Sequence, residues 1–347
     1  MEFFYAYAVA VLLWLSMITF AVLGGADFGG GMWNVLFLGR KTEEARGLIR
    51  GAVGPVWEAN NVWLIYIVVG LYAGFPIVAA TMANALFIPL TLSLIGVVLR
   101  GASFAFRTHF AGAVMVKAAW GSAFGIASLF TPFLLGTCAA AVASGQLRVR
   151  NGQGPVGLWQ AWLTPFAITI GLIALAICAT IAAIFLTVEA ERINNEELMI
   201  AFRVRAFIAG GVTALLGLVG LYLASNEAPL LWQGMLNHGL WAVAITMLIG
   251  IATAAALFFR RYRWARILIV METISFLGAW GIAQLPYILP PDLTVSQAAS
   301  PPTTMRDFFF SALVGTLVLL PSLWFLFHVF KFQRAVPPVH VKEVKEA

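Results

Sequence analysis

A carboxyl group and two side-chain amides stand at the start of a long apolar segment of the chain. Glu58, Asn60 and Asn61 lie directly before residues 62–71, which are almost entirely apolar. Such a segment predicts a membrane helix, in which a charged side chain costs about 3 kcal/mol on insertion scales. Because packing does not require such a group, we interpret Glu58 as a residue that handles protons or ions. The alternative is a polar contact that holds neighbouring helices together.

Two tryptophans flank this polar patch. In a helix, Trp57, Asn60 and Asn61 share one face because they are three and four residues apart, and Glu58 lies one step round. Trp63 follows in the next turn. The sequence thus predicts a small polar group between two indole rings in apolar surroundings.

The composition indicates an all-α integral membrane protein. Of the 347 residues, 61% are hydrophobic and only 10% are charged, whereas roughly a quarter of the residues of a soluble domain are charged. A β-barrel is excluded because the apolar runs are long and continuous rather than short and alternating. The net charge of +6 needs no nucleic-acid partner, since an excess of Lys and Arg in cytoplasmic loops accounts for it.

Nine apolar segments are long enough to span a membrane as helices. They are predicted at residues 4–26, 52–72, 76–99, 118–142, 160–188, 202–224, 239–259, 264–285 and 307–331. We expect a single transmembrane domain over residues 1–333 and a short, disordered cytoplasmic tail at 334–347. Similar loop spacings in helices one to four and five to eight suggest a four-plus-four pseudo-repeat followed by one further helix.

The distribution of Lys and Arg predicts the orientation. With the N-terminus outside, only three of the 21 Lys and Arg residues fall in external loops, namely Arg148, Arg150 and Arg306. Positive residues concentrate in cytoplasmic loops of membrane proteins. We therefore expect an external N-terminus and a cytoplasmic C-terminus.

Four ionisable side chains fall in the cytoplasmic third of the predicted helices. They are Asp27, Glu58, Arg100 and Glu272. We interpret them as a path by which protons or ions enter from the cytoplasm and which ends partway across the membrane. The alternative is a cluster of ion pairs, such as Glu58 with Arg100, that only holds helices together.

A glycine-rich run at residues 24–31 surrounds Asp27 and is expected to end the first helix. Glycine has no Cβ, so the run permits either a break in the helix or a close contact between helices. Gly29 and Gly31 are therefore candidate motif or packing residues.

No haem or metal site is predicted on this chain. The four histidines, at positions 109, 238, 328 and 340, form no pair at helical spacing or at a common depth. A bis-histidine haem or a metal ion would need such a pair. The two cysteines lie in separate apolar segments and are expected to be packing residues.

Two motifs connect these residues to a known family. The first is Gly-Ala-Asp-Phe-Gly-Gly-Gly at residues 25–31, and the second is Trp-Glu-Ala-Asn-Asn-Val-Trp-Leu at residues 57–64. Together they resemble subunit II of the cytochrome bd-type quinol oxidases. Weaker similarities at Arg100, at residues 164–166 and at residues 281–287 extend the resemblance over nearly the whole chain.

The resemblance implies a haem-free subunit of a respiratory quinol oxidase in the bacterial cytoplasmic membrane. Its partner would be a larger subunit I, which binds haem b and haem d, oxidises membrane quinol and reduces dioxygen to water. Small single-helix accessory subunits and a structural quinone or lipid are further expected partners. Subunit II would stabilise subunit I and contribute a path for protons or dioxygen. Asp27, Glu58 and Arg100 match the motif positions that this path implies.

Two positions depart from the family pattern. Many members carry an acidic residue where this chain has Gly24 and Ala105. The resemblance therefore predicts a proton path that is shortened, rerouted through Glu272, or absent. From another functional class, the alternative is a secondary transporter that uses the same buried carboxylates.

Overall fold

The computed structural model describes residues 2–36, 42–53, 57–109, 114–149 and 159–328. The side chains of residues 57–59 are outside this description, although their backbone forms the start of a helix. The predicted side-chain roles of Trp57 and Glu58 therefore lie outside the described residues, as does the predicted tail at 334–347.

Helices make up nearly all of the described chain. They are α1 Glu2–Leu36, α2 Thr42–Val53, α3 Trp57–Gly74, α4 Pro76–Ala85, α5 Phe87–His109, α6 Val114–Ala143, α7 Pro165–Arg192, α8 Glu196–Glu227, α9 Pro229–Gly234, α10 Leu240–Phe258, α11 Tyr262–Gln284, α12 Val295–Ala298 and α13 Pro302–Phe327. A π-helical turn, Met235–Gly239, joins α9 to α10, and a two-stranded hairpin of β1 Tyr287–Leu289 and β2 Leu293–Thr294 follows α11.

The predicted class, an all-helical membrane protein, is confirmed. Within the described residues, seven helices are long and apolar enough to cross a membrane, or eight if the bent pair of α3 and α4 forms one span. A shorter apolar helix covers Phe87–Ser103. The count of nine spans and the orientation of the termini stay predictions.

The helix predicted at residues 76–99 is two helices in the structure, α4 and α5. Buried Leu86 separates them.

The chain also bends by 118° between α3 and α4. The bend lies at Phe75, which adopts φ −134° and ψ 61°, because a residue that precedes proline is disfavoured in the helical conformation. Ser300 supports the bend: its backbone N–H donates to the carbonyl of Gly74 at 2.8 Å, and its hydroxyl donates to that of Ala73 at 2.8 Å.

The glycine-rich run was expected to end the first helix, but this prediction is wrong, since α1 continues through the run to Leu36. A Cβ at Gly29 would overlap the carbonyl oxygen of Cys178 in α7, and a Cβ at Gly31 would overlap the hydroxyl of Ser128 in α6. The run therefore lets three helices approach closely, which is the second alternative that the sequence left open.

Helix α7 lies at the centre of the bundle. Eighteen of its residues are buried, and it packs against α1, α6 and α8. Small residues allow this: a Cβ added to Gly136 of α6 would lie 2.9 Å from the Cα of Gly171 in α7. Close backbone packing of this kind drives helix association where there is no water to exclude.

An amphipathic helix that hydropathy did not predict connects α1 to α3. The apolar side chains Ala45 and Ile49 of α2 are buried against Leu186, Leu198 and Phe202. Its acidic first turn and Arg50 in its last turn complement the helix dipole. The sequence shows this segment as a charged loop, because α2 has too few apolar residues to stand out as a span.

Candidate functional site

A buried ion pair joins the first helix to the fifth. The guanidinium of Arg100 forms a salt bridge with Asp27, and the two side chains are only 5% and 6% exposed. Leaving either charge unpaired at such depth would be costly, because the low-polarity interior does not solvate it. Asp27 and Arg100 therefore form one unit, and both are positions that the sequence singled out.

Two phenyl rings enclose the arginine. Its guanidinium carbon lies 4.3 Å from the ring centre of Phe28 in α1 and 4.9 Å from that of Phe124 in α6. Cation–π contacts of this kind stabilise a desolvated arginine by up to about 2 kcal/mol. Arg100 thus links α5 to both α1 and α6, a role that spacing along the chain could not reveal.

The third helix contributes a buried amide to the same site. The side-chain amide of Asn60 donates to the carbonyl of Leu23 at 3.3 Å, and Asn60 also lies beside Asp27. Asn60 is 6% exposed, whereas Asn61, on the next position of α3, is only half-buried. The structure therefore brings Asp27, Arg100 and Asn60 together at one depth.

Glu58 lies in the first turn of α3, one residue after its start and two before Asn60. Its side chain is outside the described residues, so the predicted contact between Glu58 and Arg100 stays a prediction. Among the described side chains, the carboxylate that pairs with Arg100 is that of Asp27. The sequence placed Asp27 near Glu58 but did not single it out as the partner of Arg100.

Several buried polar atoms around this site have no hydrogen-bond partner within the described part of the chain. They are Asn60 Oδ1, Trp63 Nε1, Tyr66 Oη, Arg100 Nε and Ser103 Oγ. Buried polar groups in folded proteins are nearly always paired with protein or with ordered water. These atoms lie on α3 and α5, the helices that carry Asn60 and Arg100, and mark both helices as places where polar groups are built into the membrane region.

Glu272 belongs to a different polar group. Its carboxylate accepts a hydrogen bond from the hydroxyl of Thr253 at 3.0 Å, and Gly250 leaves room for it at the contact of α10 with α11. In the same pair of helices, the hydroxyls of Thr246 and Ser275 are 2.8 Å apart. The hydrogen bonds of the described residues do not connect Glu272 to Asp27.

The residues that could hold a metal are dispersed. Within the described ranges, no three His, Cys, Asp or Glu side chains come together as a potential metal site. His238 lies in the π-helical turn beside a cavity of about 170 Å³, and the exposed ring of His328 stacks on Trp324 at 5.3 Å.

Comparison with known proteins decides the family. The sequence profile described as cytochrome bd terminal oxidase subunit II matches residues 5–330. The chain belongs to this family. It is 25% identical to the cytochrome bd-I ubiquinol oxidase subunit 2 of Escherichia coli strain K12 over 92% of this chain and 93% of that one. It is also 37% identical to the cytochrome bd ubiquinol oxidase subunit 2 of Bacillus subtilis strain 168, over 36% of each chain.

A solved structure shows that the fold is shared. The bd oxidase structure from Geobacillus thermodenitrificans includes a chain that superimposes with a TM-score of 0.78, at 24% identity, over 95% of this chain and 99% of the other. The predicted resemblance is thus confirmed. As a subunit II, the protein is a component of a terminal oxidase complex and a multi-pass protein of the bacterial inner membrane. Family membership also favours an oxidase subunit over the alternative interpretation, a secondary transporter.

Proposed function

We propose that this subunit II is a haem-free component of a bd-type quinol:oxygen oxidoreductase that carries protons from the cytoplasm toward its partner. The observation that carries the proposal is the buried pair of Asp27 and Arg100, with Asn60 beside it. In this proposal, haem b, haem d and the quinol site belong to subunit I, where quinol is oxidised and dioxygen is reduced. Small accessory subunits would attach to the same complex.

Exposed apolar side chains on α3 and α5 are suited to subunit I. Ile65 of α3 and Leu94 and Val98 of α5 are each more than 60% exposed. They lie on helices that also hold Asn60 and Arg100, so a partner that covers them would meet helices that carry the buried polar group. Contact here would let subunit II both stabilise subunit I and deliver protons to it.

The chemistry follows from the order of the polar groups. Glu58, near the predicted cytoplasmic end of α3, takes up a proton and exchanges it with Asp27, which lies at a similar depth on α1. Arg100 keeps the Asp27 carboxylate in place, and the Asn60 amide fixes α3 against α1 at this depth. A carboxylate held in this way can accept and release a proton without moving far, which a relay requires.

The path requires the predicted orientation, which reporter fusions test directly. We expect fusions after Ser144 or Pro291 to report an external location, and fusions after Arg46, Arg261 or Lys345 to report a cytoplasmic one. The reason is the excess of Lys and Arg in the loops assigned to the cytoplasm. A consistent reversal would place Asp27 and Arg100 near the outer face and would contradict the proposed path.

The function itself is tested by replacing the first carboxyl. We expect Glu58→Gln to lower quinol oxidase turnover per haem by about a hundredfold while the complex assembles with its haems, because proton transfer by a positioned side chain contributes rate factors of that order. Turnover and haem content are measured in the same membranes.

Glu189→Gln is the matched control, since Glu189 pairs with Arg192 at a partly exposed end of α7. We expect full turnover from it. Unchanged turnover per haem in Glu58→Gln, with a defect only in yield, would assign Glu58 to helix packing and contradict the relay.

A further inference from the structure

The turn between α10 and α11 carries three exposed arginines. They are Arg260, Arg261 and Arg263, and no carboxylate within the described ranges forms a salt bridge with any of them. The exposed Arg148, by contrast, lies 3.2 Å from Asp292. Three positive charges therefore stand together in one short turn, and the described part of the chain does not neutralise them.

Two neighbouring arginines already serve the fold. Arg203 of α8 donates to the carbonyls of Leu257 at 3.0 Å and Phe258 at 2.9 Å, at the end of α10. The guanidinium carbon of Arg266 lies 5.4 Å from the ring centre of Phe185 in α7. Because α8 supplies donors to the last carbonyls of α10, the three exposed arginines are not needed to cap that helix.

Arg260 also occupies a backbone position that does not suit it. Its φ is 57°, in the left-handed region. The residue that follows a helix often adopts this conformation, but it is usually glycine and sometimes asparagine, because other side chains are strained there. Asn194 is the other described non-glycine residue with a positive φ, and it is of a favoured type. An arginine kept at a cost to the backbone indicates a role outside the fold.

The turn lies at the membrane surface. The helices on both sides of it are long and apolar enough to cross a membrane, so the residues between them reach the headgroup layer. Phe258, Phe259 and Trp264 flank the turn and are 66%, 69% and 62% exposed. Aromatic side chains are enriched at this interface. The turn therefore combines cationic groups with apolar rings at the depth where phosphates meet acyl chains.

We propose that this turn is a binding site for an anionic phospholipid, with Arg260, Arg261 and Arg263 on its phosphate. A guanidinium donates two parallel hydrogen bonds to phosphate oxygens, and the negative surface of the cytoplasmic leaflet attracts basic residues next to a membrane helix. A free phosphate ion would use the arginines alone, whereas a lipid also uses the exposed rings. The site is separate from the proposed proton path and does not depend on it.

Lipid binding to the intact, delipidated oxidase complex tests the site. Phosphatidylglycerol or phosphatidylcholine is added in detergent, and bound lipids are counted by native mass spectrometry. A basic side chain at an anionic surface contributes about fivefold in affinity. We therefore expect the triple variant with Arg260→Ala, Arg261→Ala and Arg263→Ala to lose one phosphatidylglycerol per complex, after a fall in affinity of about a hundredfold, and to bind phosphatidylcholine as before.

Arg192→Ala is the control, since Arg192 is exposed but pairs with Glu189, and we expect it to keep that lipid. Equal binding of phosphatidylglycerol by the triple variant and the parent complex would overturn the proposal. Displacement of the lipid by inorganic phosphate, at an ionic strength matched with chloride, would assign the site to free phosphate and would also overturn it.

Arg260→Gly separates lipid binding from folding. Glycine adopts a positive φ without strain, so we expect this variant to unfold at the temperature of the parent complex or slightly above it in phosphatidylcholine nanodiscs, yet to bind phosphatidylglycerol about fivefold more weakly. Asn194→Gly is the matched control, because it changes a residue of the same backbone conformation outside the turn, and we expect it to bind the lipid fully. Equal effects of the two substitutions on phosphatidylglycerol binding would overturn the assignment.

Discussion

Arg100→Gln is expected to destabilise the protein by about 3 to 5 kcal/mol and to abolish most of the assembled oxidase. The substitution leaves the Asp27 carboxylate buried, 6% exposed, without the charge that compensates it. It also removes the contacts of the guanidinium with Phe28 and Phe124, which link α5 to α1 and α6. Thermal unfolding of the purified complex and its yield per cell measure the loss.

A double variant separates charge from shape. In Asp27→Asn with Arg100→Gln both charges are gone, so the desolvation cost disappears and most of the lost stability should return. We expect this variant to assemble with its haems but to turn over slowly, since the carboxylate of the relay is missing. Full turnover in it would remove Asp27 from the path.

An exposed ion pair provides the control for Arg100. Arg148 lies 3.2 Å from Asp292 at the opposite end of the bundle, with a side chain that is 54% exposed. Arg148→Gln should cost less than about 1 kcal/mol, because water solvates the carboxylate that remains. Equal losses from Arg100→Gln and Arg148→Gln would contradict a special role for the buried pair.

Gly29→Ala is expected to destabilise the protein by about 3 kcal/mol, at the upper end of what overpacking costs. The added methyl group would overlap the carbonyl oxygen of Cys178, a backbone atom that cannot rotate out of the way. Helices α1 and α7 would have to separate, and the ion pair at Asp27 lies only two residues from the contact. Yield and the unfolding midpoint measure the effect.

Gly211→Ala is the matched control for that substitution. Gly211 also lies inside a helix, α8, but no atom lies within 4 Å of the position a Cβ would take. Because alanine favours the helix over glycine, we expect this variant to be as stable as the parent protein or slightly more so. If Gly29→Ala behaves in the same way, the close packing of α1 on α7 does not limit stability.

Local patterns in the sequence were sufficient to predict the class of the protein and to identify most of the candidate residues. Long apolar runs predict membrane helices because every backbone polar group in lipid must be paired within its own segment. A charged or amide side chain in such a run stands out against that background, as Asp27, Glu58, Asn60 and Arg100 do. The motifs around them sufficed for the family, which the profile match over residues 5–330 confirms.

The tertiary structure decided what each of these residues contacts. The glycine run allows either a helix break or close packing, and only the position of Cys178 on α7 shows that it is packing. Arg100 pairs with Asp27, 73 positions away in the sequence, because α1 and α5 are brought together around it. Hydropathy depends on neighbours along the chain, whereas an ion pair or an unpaired indole such as Trp63 depends on neighbours in space. The sequence by itself therefore determined which groups lie in the membrane, and the packing of the helices determined which of them meet.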